Sequence, residues 1–198
     1  MKHSRTLVIA LGLVVFAAPG LAQDGVKSNI PSQKFTAQDT REVALDRLFA
    51  SLRGASDEYA AKAVEQKIWE LWSRFDSPTA EVLLGQAVVA MGAAENAASL
   101  EILDRVVASY PTYAEAWNKR ATLHFMLGNY DAALSDIDKV LDLEPRHFVA
   151  LGGRGMIYQR QEKWSDALNA YREALSMNPG LTGIKNAIQE LSKRERDV

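Results

Sequence analysis

The run Ala114-Glu115-Ala116-Trp117-Asn118-Lys119-Arg120-Ala121-Thr122-Leu123-His124-Phe125-Met126-Leu127-Gly128-Asn129-Tyr130, extended through residues 131–143 and closed by Glu144-Pro145-Arg146-His147, decides the fold. Apolar residues recur at the 3.6-residue period of a helix over 114–127 and again over 130–143, with Gly128-Asn129 as the break. This predicts a helix hairpin. Pro145 cannot continue the second helix, because it lacks an N–H and its ring clashes with the preceding turn.

The same pattern flanks this unit on both sides. Pro111, Pro145 and Pro179 stand 34 residues apart, which sets three gapless units at 80–113, 114–147 and 148–181. Position 4 of each unit is large and apolar (Leu83, Trp117, Leu151), and position 8 is small (Ala87, Ala121, Gly155). Position 20 is small again (Ser99, Ala133, Ala167), and position 27 reads Val106, Val140 and Ala174. Small residues at 8 and 20 let the paired helices approach closely. One hairpin cannot bury its own apolar face, but stacked neighbours can, so the period predicts a solenoid.

Trp117, Ala121, Gly128, Tyr130, Ala133, Ile137, Val140 and Pro145 resemble the consensus of the tetratricopeptide repeat (TPR). The third unit departs from it at Glu162, where the consensus turn has Gly, and the first at Ala94 and Asn96, where it has Gly and an aromatic. These departures bear on turn geometry. The resemblance covers residues 80–181, about half the chain, and implies an all-α, right-handed helical-hairpin solenoid of three TPR units. A closer likeness, carried by residues 117–122 and 144–148, is to small exported bacterial TPR proteins.

Residues 1–22 read as a signal peptide: basic Lys2 and Arg5, an apolar run over 7–18, then Pro19-Gly20-Leu21-Ala22 with cleavage expected after Ala22. The run falls short of the ~20 residues that a spanning helix needs. The expected location is periplasmic or secreted, with no membrane insertion after cleavage. The chain has no cysteine, which removes disulfides, thiolate metal sites and a cysteine nucleophile. Residues 1–22 hold two Lys/Arg and no Asp/Glu, so the formal charge of −2 becomes −4 on cleavage, and nothing suggests nucleic acid.

Residues 23–37 are polar and read as a flexible leader. Residues 38–78 read as an N-terminal helical hairpin, a degenerate repeat serving as a cap, with Asp39 or Thr40 opening its first helix and Ser56 or Asp57 its second. Residues 182–198 form a capping helix and tail, with Ile184, Ala187, Ile188 and Leu191 as a narrow stripe.

The resemblance also implies a concave groove lined by positions 2, 5, 9, 12, 13, 33 and 34. Carried onto this chain, these positions are Glu115, Asn118, Thr122, Phe125, Met126, Arg146 and His147 in the middle unit. The third unit adds Val149, Met156, Gln159 and Arg160, with Gly152, and the first adds Leu84, Val88 and Met91. Met and Phe facing solvent point to a partner segment with apolar anchors; the alternative is that the leader or first helix covers the Leu84–Met91 part. The Lys/Asn clamp with which some TPR proteins hold a chaperone tail is missing, because Val149 and Gly153 stand at its basic positions.

Catalysis has no visible residues, and no cofactor or metal is expected. His124, at position 11, reads as a packed core histidine, whereas His147 reads as a residue at the groove edge. Asp136 and Asp138 read as solvated charge. The functional expectation is a protein-interaction adaptor or scaffold of the bacterial envelope; the alternative is a structural subunit that uses its convex or terminal surfaces.

Overall fold

The computed structural model describes residues 37–194, with side chains from 40 to 193. The expected signal peptide and nearly all of the expected leader lie outside the described residues. Within them the chain is helical: α1 Ala37–Arg53, α2 Glu58–Ser73, α3 Pro78–Gly92, α4 Asn96–Ser109, α5 Ala114–Met126, α6 Tyr130–Leu143, α7 Phe148–Arg160, α8 Trp164–Met177 and α9 Thr182–Arg194. The pairs α3/α4, α5/α6 and α7/α8 are the three repeat hairpins, each stacking its second helix on the first helix of the next unit; α9 closes the array against α8. Asp39 and Thr40 fall within the first turn of α1, while Asp57 caps α2 by accepting the Ala60 N–H at 2.8 Å.

The turn inside each unit has one geometry. The N–H groups of Glu95, Asn129 and Lys163 donate to the carbonyls of Ala90, His124 and Tyr158, each at 2.9 Å, closing the first helix with a six-to-one bond. This motif places position 15 in left-handed backbone, with φ of 59° at Ala94, 76° at Gly128 and 60° at Glu162. The two departures from glycine therefore keep the turn and carry its strain, because a Cβ in that region crowds the following carbonyl.

Close packing explains the small positions. Ser99 donates its hydroxyl to the Ala87 carbonyl at 2.8 Å, joining positions 20 and 8 of unit 1. A Cβ on Gly155 would lie 2.5 Å from the ring of Tyr171, itself buried and donating its hydroxyl to Gln159 at 2.7 Å. Successive units are tied by a recurrent ion pair, Arg120 to Asp104 at 2.7 Å and Arg154 to Asp138, joining position 7 to position 25 of the unit before. Asp136 is not solvated as expected: it is buried and takes a two-point contact from Arg120, at 2.9 and 2.7 Å. Its neighbour Asp138 does face solvent.

The N-terminal hairpin covers apolar surface as a cap does, but the surface is the line of turns that joins the units. Phe75, just beyond α2, stacks on Tyr113 at the first junction, with ring centroids 4.5 Å apart. Trp72 stacks on His147 at the second, with centroids 4.1 Å apart and planes 12° from parallel. At the third, Asn178 donates to Glu65 at 2.7 Å and Gly180 comes close to Ala61. Leu45, Phe49, Leu52, Ile68 and Trp72 thus share one core cluster with Phe148 of α7.

Candidate protein-binding groove

The first helices α3, α5 and α7 touch one another directly, so their free faces form one surface. The α1–α2 hairpin divides it. Where Trp69 and Trp72 cross α5 and α7, the groove is filled; beyond them it stays open.

The filled part contains four of the expected site residues. His147 is fully buried rather than at a solvated edge, because Trp72 stacks on its ring and Trp69 meets it edge-on. The Ala150 N–H donates to His147 Nδ1 at 3.2 Å, which leaves the proton of the neutral ring on Nε2, 3.3 Å from Glu115 Oε2. Glu115 is also buried, and it takes a bond from Asn118 at 3.1 Å and an ion pair from Lys119 at 2.7 Å. Burial alone pushes the Glu115 carboxyl up, but the His147 hydrogen bond and the Lys119 ammonium outweigh it and hold the group below its ordinary value. Asn118, held by Glu115, is buried too and stands at the boundary, lining the open cavity as well. Lys119 in turn lies 4.8 Å over the Trp69 ring.

Arg146, expected to line the groove, is instead engaged by the hairpin. It reaches Asp46 at 2.6 Å and Glu42 at 2.8 Å on α1 and Glu144 at 2.8 Å, with its guanidinium over the Phe49 ring. Leu84 is likewise not a groove residue; it is buried in the core cluster of unit 1, against which Phe75 packs.

The open part is an apolar cavity of about 460 Å³ between α5 and α7, bounded at one end by Leu181, just before α9, and by Ile184 of α9. Asn118, Thr122, Phe125, Met126, Val149, Gly152 and Met156 line it, seven positions expected from the repeat register. Met126 is 59% and Met156 47% exposed, so the cavity presents apolar atoms to solvent. A Cβ at Gly152 would come within 3.0 Å of Ile184, so glycine there lets the Ile184 side chain of α9 pack against α7. Gln159 and Arg160 belong, with Met156, to an adjoining opening of about 970 Å³ between α2 and α9. Val88 and Met91 lie on α3 and line neither space.

Sequence reasoning did not identify Phe148, Gly153, Leu181 and Ile184 as cavity walls, nor Trp72 as the wedge that fills the groove. A signal for the wedge exists in Trp69, Trp72 and Phe75, which stand three residues apart and present more aromatic surface than a repeat hairpin needs.

Comparison with known proteins places this geometry. The Tetratricopeptide repeat family pattern matches residues 112–179. A TPR repeat-containing protein of Rhizobium etli is 32% identical over 187 residues, covering 94% of this chain and 91% of the relative. Among solved structures, the first TPR domain of Spaghetti (RPAP3) bound to the HSP90 peptide SRMEEVD superposes with a TM-score of 0.58 at 20% identity, over 61% of this chain and 96% of that one. MamA superposes with a TM-score of 0.56 at 19% identity, over 81% of this chain and 85% of the other. With one relative matched over almost its whole length and the family pattern lying on the central units, the chain belongs to the tetratricopeptide-repeat proteins, a family that mediates protein–protein interaction.

Proposed function

We propose that the protein is an exported adaptor of the bacterial envelope, periplasmic or secreted after cleavage at Ala22, that holds a segment of another protein in the cavity between α5 and α7. The observation that carries this reading is the cavity itself: about 460 Å³ of apolar space with Met126 and Met156 at its mouth. Methionine suits such a site because its unbranched, polarizable side chain adapts to irregular surfaces. A space of this size takes one or two apolar side chains of an extended or helical segment. The α1–α2 wedge shortens the groove to the stretch beside α9, so the contact is small and the affinity comes from those anchors.

RPAP3 shows that this fold can hold a peptide, but the chemistry here differs from an acidic-tail site. Lys119 is engaged by Glu115, and Val149 and Gly153 offer no cation.

The test is capture from envelope extract with wild type beside a Met126→Glu, Met156→Glu variant. Both methionines are exposed, so the variant should keep its helicity and melting. A protein retained by wild type and lost from the variant supports the reading; an identical set on both contradicts it.

A further inference from the structure

Positions 3 and 10 of the first helix show what covers each unit. In units 2 and 3 they are Ala116 and Leu123, Ala150 and Ile157, all at most 1% exposed. The second helix of the preceding unit lies over them, α4 on α5 and α6 on α7. In unit 1 the same positions are Val82 and Val89, 60% and 72% exposed. Because α1 and α2 follow the inter-unit turns, this end of the array stays open among the described residues.

The two valines belong to a longer seam. Thr79, Val82, Gln86, Val89 and Ala93 are all exposed and follow one another at intervals of three and four residues, the spacing by which one helix packs along another. On the flank of the seam, Gly85 has nothing within 4 Å of the place a Cβ would take, so a second backbone can come close. The one charged residue of α3, Glu81, points elsewhere and accepts the Phe75 N–H at 2.7 Å.

We propose that this face pairs with the same face of a second copy of the chain, α3 running antiparallel to α3 across a two-fold axis. Two features favour a copy over a further repeat from another protein. Position 7 is the arginine that binds an aspartate of the preceding unit at both internal junctions, and here it is Gln86, which lacks that charge. An amide both donates and accepts, so Gln86 close to a two-fold axis can bond to its own counterpart. A two-fold contact also sets a surface against itself and penalises charge, and the seam has none. One helix pair buries less than ~1,200 Å², so the dimer is reversible and concentration-dependent.

Sedimentation equilibrium of the mature chain tests this. The wild-type weight-average mass should climb with concentration toward twice the monomer mass, and a Val82→Glu, Val89→Glu variant should stay monomeric with unchanged helicity and melting. The chain has no cysteine, so a Gln86→Cys variant should, on mild oxidation, form a disulfide-linked dimer several-fold faster than a Tyr59→Cys variant, whose site is exposed on α2. A wild type monomeric at every concentration, a Val82/Val89 variant that associates as wild type does, or equal cross-linking at the two sites would each overturn the proposal. The Met126→Glu, Met156→Glu variant should dimerise normally, so failure of this proposal and failure of the groove reading remain distinguishable.

Discussion

Trp72→Ala isolates the wedge that divides the groove. The indole is 2% exposed, stacks on His147, meets Phe148 at 5.1 Å and Phe49 at 6.1 Å, and donates its N–H to Glu144 at 3.4 Å. Burying an aromatic of this kind removes about 150–250 Å² from water, or about 4–6 kcal/mol at 25 cal/mol per Å². The area figure is an upper bound, since an unfolded chain already hides part of that surface, so the expected loss is about 3–5 kcal/mol, the usual cost of truncating a buried aromatic. Because Trp72 ties α1–α2 to the array rather than one repeat to the next, the loss should be local. Urea unfolding followed by circular dichroism gives the magnitude, and amide hydrogen exchange gives its location, with protection falling in α1 and α2 and holding in α5 to α8. A loss under about 1 kcal/mol, or exchange rising evenly along the chain, would refute the docking of the hairpin.

Gly155→Ala places a methyl against the Tyr171 ring and should cost about 1–3 kcal/mol in thermal or chemical melts. Glu162→Gly relieves a left-handed residue and should stabilise by about 1 kcal/mol, the relief of about 1–2 being partly offset by the freer unfolded chain. Asp136→Ala leaves Arg120 without its two-point partner in a largely covered site and should cost about 2–3 kcal/mol by urea titration. Glu115 has a depressed folded value, so its contribution is present in full at neutral pH and is lost as the pH drops below about 4.3 and on through the folded value. A Glu115→Gln variant should show a flatter fall in stability over that acid range.

The solenoid was legible because its signals are local and periodic: three prolines in register, small residues at positions 8 and 20, and a turn at position 15. Even Ala94 and Glu162 obey the turn, because the six-to-one bond and the packing of the two helices hold a backbone that neither residue prefers. Much of the groove was legible too, since position in the repeat sets which way a side chain points; Asn118, Thr122, Phe125, Met126, Val149, Gly152 and Met156 meet as the register required. What register cannot tell is which part of that face another segment already covers. His147, Glu115 and Arg146 have groove positions, yet Trp72, Lys119 and the α1 carboxylates Glu42 and Asp46 engage them, the α2 and α1 partners lying about 75 to 105 residues away in sequence. Asp136 was misread for a related reason: its partner Arg120 sits on the facing helix, and no helical periodicity within α6 records it.

The most direct measurement of the groove reading is site-specific photo-cross-linking with full-length protein expressed in its own cells. A photoreactive residue in place of Met126 or Met156 should give one dominant adduct shared by both sites, and the same residue in place of exposed Leu143, which lines neither cavity, should not. Adducts arising from Leu143 and absent from both methionines would contradict the account and move the binding surface away from the groove.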